Sequence, residues 1–128
     1  MLSTRDPQLR ALVVDDDETV VDQVTLVMRK MGFAVESSPD GLDALRRCQA
    51  NNFDVVVCDV RMPRLSGLSF LSNLAHTPHT IRRIIMISAL DDNSLRRQSL
   101  SSGASAYLVK PITMQALKDA ITAPAPRV

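Results

Sequence analysis

The sequence predicts an α/β domain, a parallel sheet covered by helices on both faces. Five short apolar runs alternate with five stretches of helical spacing along the 128 residues, the pattern of repeated strand–helix units. One run, Val55-Val-Val-Cys58, is apolar without interruption, as in a strand buried on both sides. Four of the five runs also stop at polar residues: Asp15-Asp16, Asp59, Ser88 and Lys110.

The totals narrow the class. A chain of 128 residues is about one domain. Its hydrophobic content of 45% suits a globular fold and argues against disorder. A net charge of +1 gives no reason to expect direct nucleic-acid binding or a membrane surface. Met1–Arg10 lacks the apolar centre of a signal peptide, and no run approaches a membrane span. Cys48 and Cys58 lack metal-ligand spacing and read as reduced core thiols of a cytoplasmic protein.

Residues 1–8 read as a polar lead-in, and Leu9–Val14 as the first strand. Thr19, with Asp22 three residues on, resembles a helix N-cap and its capping-box partner. Val20, Val21, Val24, Val27, Met28 and Met31 follow at helical spacing, and Gly32 ends the helix. Phe33–Glu36 is a short strand that turns polar quickly, as an edge strand does. Ser38-Pro39 reads as an N-cap and first helical position, with Asn51-Asn52 closing that helix. Asp59 stands at the carboxyl end of the third strand, where a crevice can open, because an unpaired carboxylate inside the strand would cost more than packing returns. Pro63 then blocks further pairing.

Leu65, Leu68, Leu71 and Leu74 give a third helix, ending before Pro78. Ile84–Ile87 is the fourth strand. Asp91–Leu100 is a poor helix, with few apolar positions and several serines. Gly103 caps it, Ala106–Val109 is the fifth strand, and Met114, Leu117 and Ile121 mark the last helix. Ala123-Pro-Ala-Pro126 cannot continue that helix, so 123–128 reads as a tail or the start of a linker.

In a parallel sheet, ligands sit beyond the carboxyl ends of the strands. There the sequence collects three carboxylates, a hydroxyl and an ammonium. At about 4 Å and an effective dielectric near 20, each carboxylate pair repels by about 4 kcal/mol. A hard divalent cation such as Mg2+ relieves that repulsion through oxygen ligands, and Lys110 adds a compact positive charge. A carboxylate can also act as the nucleophile in phosphoryl transfer, chemistry in which the protein mostly positions groups and spreads charge.

Val13-Val-Asp-Asp16, Asp59-Val-Arg-Met-Pro63, Ile85-Met-Ile-Ser-Ala89 and Ala106-Tyr-Leu-Val-Lys-Pro111 resemble the four signatures of bacterial two-component response-regulator receiver domains, in the right order. The resemblance covers about Leu9 to Ile121, with 9–122 as the receiver domain. It implies a flavodoxin-like, doubly wound, five-stranded parallel sheet of order 2-1-3-4-5 with five helices. It implies Asp59 as the phosphoacceptor, supplied by a sensor histidine kinase or a histidine phosphotransfer protein. Asp15, Asp16, Asp59 and the backbone carbonyl of Arg61 match the Mg2+ ligands, and Ser88 and Lys110 match the groups that meet the phosphoryl oxygens.

Tyr107 matches the switch aromatic, moving inward as Ser88 vacates space, and the Lys110-Pro111 bond is expected to be cis. Arg61 and Leu90 fall at the positions that tune loss of the phosphoryl group, and Leu90 cannot orient water. The expected output is a changed surface on the fourth helix, fifth strand and fifth helix, acting on an output domain, a downstream protein or a phosphorylation-dependent homodimer.

Other readings weigh less. An aspartate-nucleophile phosphohydrolase resembles an Asp-x-Asp pattern, whereas Val60-Arg61 follows Asp59. A binding module without phosphorylation would not need Asp59, Lys110 and the acidic pair together. Asp17 reads better as a helix cap than as a ligand. His76 and His79 read as solvated loop residues, and Arg96-Arg97 as an outer helix face near the output surface.

Overall fold

The structure is a computed structural model, and it describes residues 8–124. Residues 1–7 of the expected lead-in and 125–128 of the expected tail lie outside them. The chain runs β1 (Arg10–Val14), α1 (Glu18–Lys30), β2 (Ala34–Ser38), α2 (Gly41–Ala50), β3 (Val55–Asp59), α3 (Gly67–Leu74), β4 (Arg83–Ser88), α4 (Asn93–Ser101), β5 (Ala106–Val109) and α5 (Met114–Thr122). The strands form one sheet in the order β2-β1-β3-β4-β5, each pair parallel. This is the flavodoxin-like order that the resemblance implied.

Strand alternation divides the core in two. Ala11, Val13, Val55, Val57, Ile85 and Ile87 face α1 and α5, packing on Val24, Val27, Met28, Leu117 and Ile121. Leu12, Val14, Val56, Cys58 and Met86 face the other way, onto Ala44, Cys48, Phe70, Leu71 and Leu74. Both faces of β1 and β3 are therefore dry, and Leu12, Val13, Val56 and Val57 are fully buried. Such a sheet leaves its strand ends as the place for polar chemistry.

Two helix starts differ from the sequence reading. Thr19 is not the cap of α1; Asp17 is, in line with its reading as a helix cap, its carboxylate accepting from the Thr19 N–H at 3.0 Å. Asp40, not Ser38, caps α2, accepting from the Asp43 N–H at 2.8 Å. Ser38 instead stays in β2, because it pairs with Val14 and its hydroxyl donates to Asp43 at 2.6 Å. β2 therefore runs two residues past Glu36, and Pro39 precedes the helix. The edge strand carries Glu36 between Arg10 and Arg47, charges that discourage pairing with another chain.

Behind β3 the chain doubles back. The Gly67 N–H donates to Val60 O at 2.8 Å, and a Cβ at Gly67 would lie 2.1 Å from the Asp59 carbonyl oxygen. Only glycine permits that approach, and it braces the backbone of Asp59 from the α3 side. Gly103, at φ +114°, ends α4 as expected.

α4 forms despite its composition, because Asp92 caps it through the Ser94 and Leu95 N–H groups. Ser99, fully buried, carries a side-chain oxygen with no hydrogen-bond partner among the described residues. A buried hydroxyl without a partner costs about 1–3 kcal/mol, and alanine is the better helix former. Ser99→Ala is therefore expected to stabilise the domain by about 1 kcal/mol, read as a higher urea midpoint. A lower midpoint would show that the hydroxyl is bonded in solution.

Candidate functional site

β1, β3, β4 and β5 finish at one edge of the sheet, and the register decides what meets there. Val14 lies beside Cys58, Asp59 beside Ile87, and Ser88 beside Val109. The next residues on β1 and β5 are Asp15 and Lys110. Asp15 has a fully buried side chain, and its Oδ2 accepts from Lys110 Nζ at 2.9 Å. Its Oδ1 accepts from the Asp17 N–H at 2.9 Å, which holds the carboxylate in place. Asp59 has a side chain only 9% exposed, its Oδ2 lying 3.4 Å from the same Nζ. The Lys110 N–H donates to Ser88 O at 2.7 Å, tying the lysine's backbone to β4. The Lys110–Pro111 peptide bond is cis.

Asp16 is exposed at the mouth, and one carboxylate oxygen from each of Asp15, Asp16 and Asp59 lies within 4.8 Å of the others. Arg61 follows on the turn after β3, with its side chain in solvent. Ser88 is buried, and its hydroxyl accepts from the Leu90 N–H at 3.1 Å. Tyr107 is buried, its hydroxyl donating to Leu90 O at 2.7 Å. Asp15, Asp16, Asp59 and Lys110 thus come together directly, with Ser88, Leu90 and Tyr107 in a hydrogen-bonded chain beside them.

Burial pushes the Asp59 carboxyl up to about 6, and the neighbouring Asp15 adds to it, while Lys110 and the Arg61 N–H pull the other way. Burial works against the Lys110 charge, but the hydrogen bond to Asp15 and the field of Asp59 outweigh it and raise its pKa above 10.5. Two buried carboxylates therefore share one ammonium, with the Asp16 carboxylate close by. A hard divalent cation fits this donor set: all three donors are oxygens, two are preorganised by burial, and one opens to solvent.

Cys58 and Cys48 are buried free thiols. Burial raises both, Cys48 to about 11, which makes them inert. Sequence reasoning missed one contact. Arg96 does not simply line an outer face; its guanidinium lies over the Tyr107 ring, 4.9 Å from the centroid. The two residues sit on different elements, and no spacing rule pairs them.

Comparison with known proteins agrees with the geometry. The response regulator receiver domain family matches residues 11–122. The response regulator MprA of Mycobacterium sp. (strain KMS) is 38% identical over 109 residues, covering 85% of this chain and 47% of that protein. A CheX-CheY-BeF3-Mg+2 complex from Borrelia burgdorferi aligns with a TM-score of 0.81 and 30% identity, covering 88% of this chain and 86% of that one. A Burkholderia pseudomallei response regulator with a phosphorylated aspartic acid, calcium ion and citrate aligns with a TM-score of 0.80 and 25% identity, over 90% of this chain and 67% of that one. The chain belongs to the response regulator receiver domain family. It spans less than half the length of the curated relatives it matches first.

The Asp59 shift sets a pH dependence for metal-free protein. Its folded pKa of about 6 lies above the unfolded value of about 3.9, so the native state binds more protons between the two. The stabilisation is complete below about pH 4 and is lost as pH rises through about 6. With chelator present, Asp59→Asn should be more stable than wild type at pH 7.5, by about 1 kcal/mol after allowance for solvent screening. The difference should shrink toward zero at pH 4. Urea melts at three pH values measure it, and a wild type more stable at pH 7.5 contradicts it.

Proposed function

We propose that this chain is the phosphoacceptor receiver domain of a two-component system, with Asp59 receiving a phosphoryl group from a phosphohistidine. The observation that supports it best is Lys110 Nζ between Asp15 and Asp59, 2.9 and 3.4 Å away, with Asp16 beside them. A carboxylate oxygen of Asp59 would attack phosphorus while the N–P bond of the donor's phosphohistidine breaks. With a proton on its other ring nitrogen, the donor's imidazole takes the N–P electron pair and leaves neutral, and the acyl phosphate stays on Asp59. The donor would be a sensor histidine kinase or a histidine phosphotransfer protein.

Asp15, Asp16, Asp59 and the backbone carbonyl of Arg61 would hold Mg2+, which neutralises charge on the transferring group when bound. Lys110 meets one phosphoryl oxygen as a fixed cation. Ser88 accepts from Leu90 through its lone pair, so its own proton is available to another phosphoryl oxygen. Beside the mouth, a cavity of about 560 Å³ between α1 and α5, lined by Val20, Val24, Leu26, Ile112 and Met114 among others, offers the donor an apolar surface.

The switch would run through Ser88 and Tyr107 to the face made by α4, β5 and α5. Residues 9–122 form the receiver in this reading, with 123–128 as a tail or linker toward an output domain, and a downstream protein or a homodimer as the alternative target. Its place would be the cytoplasm, where such donors work; among the described residues, no helix is long and apolar enough to cross a membrane.

Incubation with a small acyl or amido phosphodonor and Mg2+ is expected to add one phosphoryl group by intact mass. Asp59→Asn and chelator should each abolish the gain. Many turnovers per chain would point to a hydrolase, and no gain to a constitutive binding module.

The lifetime of the acyl phosphate supplies a second test. Leu90 presents no polar side-chain atom to orient water, and the exposed Arg61 would crowd an incoming one. Wild type should therefore lose its phosphoryl group slowly. Leu90→Glu should speed the loss, toward the roughly hundredfold that a well-positioned acid–base group contributes. An unchanged, short lifetime would remove both residues from the tuning role.

A further inference from the structure

Tyr107 is held by more than its hydroxyl. Its ring lies under the Arg96 guanidinium at 4.9 Å, and its own carbonyl accepts from Arg96 Nη1 at 3.1 Å. Arg96 Nη2 meanwhile donates to Asp91 Oδ1 at 3.4 Å, in the loop that follows Leu90. Leu90 O is the acceptor of the tyrosine hydroxyl, at 2.7 Å. The contacts form a closed ring: α4 reaches β5 through Arg96, β5 reaches the β4–α4 loop through Tyr107, and the loop returns to α4 through Asp91.

Each link in this ring fits the guanidinium. Its flat face stacks on the aromatic ring while its edge donates in two directions. A lysine could supply the charge and one bond, not the stacked fork. Arg97, next along the helix, is exposed and appears in none of these contacts.

We propose that Arg96 is a positioning residue that latches the Tyr107 ring in its buried place beside Leu90. A change at Ser88 reaches the α4–β5 face through Leu90, whose N–H bonds to Ser88 and whose carbonyl bonds to the tyrosine. The inference rests on the proposed function only for the meaning of Tyr107 as a switch.

The composition provides a direct readout, because Tyr107 is the single tyrosine and the chain has no tryptophan. Intrinsic tyrosine fluorescence therefore reports this one ring. Acrylamide quenching is measured on unphosphorylated protein with chelator, for wild type, Arg96→Met, Arg96→Lys and Arg97→Met, with circular dichroism and melting curves to verify folding. Losing both the stack and the hydrogen bond should raise the quenching constant about twofold or more in Arg96→Met. Arg96→Lys should fall between, and Arg97→Met should match wild type.

Equal quenching in wild type and folded Arg96→Met overturns the latch. So does an equal rise in Arg97→Met, which would mean that α4 loosens with any lost charge. Neither result depends on Asp59 accepting a phosphoryl group. Failure of the phosphodonor experiment leaves the latch standing, and failure of the latch leaves Asp59 as acceptor.

Discussion

The crevice depends on one cation placed between like charges. Asp15 and Asp59 both point at Lys110 Nζ, and Asp15 is the more deeply buried of the two. Without the lysine, two carboxylates would stand desolvated side by side, which neither packing nor water would relieve. Lys110 can occupy that point only because its backbone follows β5 and bonds to Ser88 on β4. The raised Asp59 pKa shows that the compensation is partial. A site left with excess negative charge is one that a divalent cation can complete.

That arrangement needs rigid support on one side and freedom on the other. The rigid side is the centre of the sheet. β1 and β3 are buried on both faces, and Gly67 lets the following helix close directly against the Asp59 backbone. The freer side is α4, whose one buried residue is Ser99, with its unpartnered hydroxyl. Looser packing of that kind resists displacement less than a tightly packed core, which does not deform in small steps. The contrast runs across β4, which carries Ser88 at the boundary.

Legibility in the sequence followed the same division. The strands and the residues at their ends could be read because burial on both faces leaves unbroken apolar runs that stop at Asp59, Ser88 and Lys110. The sheet order could not be read from the residues and came from the resemblance. The α2 cap was misplaced for a tertiary reason: Ser38 has the right chemistry, but pairing with a neighbouring strand decides how far β2 extends, and so which side chain faces the first helical turn. Ser38 was taken into β2 by its pairing with Val14. At α1, Asp17 is the cap that its reading implied, and Thr19 only supplies the N–H that it accepts from. Arg96 illustrates a different limit: its partner lies eleven residues away on another element, and only the packed α4 brings them together.

Leu90 joins the two sides. Its N–H donates to Ser88 and its carbonyl accepts from Tyr107, so one peptide segment touches both the crevice and the latch. In the proposed cycle, Ser88 turns toward the phosphoryl group and releases the Leu90 N–H, and the tyrosine's acceptor is then free to move. One neutral hydrogen bond contributes about 1 kcal/mol net, which shifts a two-state balance by about fivefold. A latch much stronger than that would hide the signal, and a much weaker one would leave the tyrosine to wander before it came. Contiguity alone does not establish coupling. The size of that bond nonetheless sets the scale on which Arg96 must work: strong enough to hold the ring, and close enough to the Leu90 interaction for one covalent event to matter.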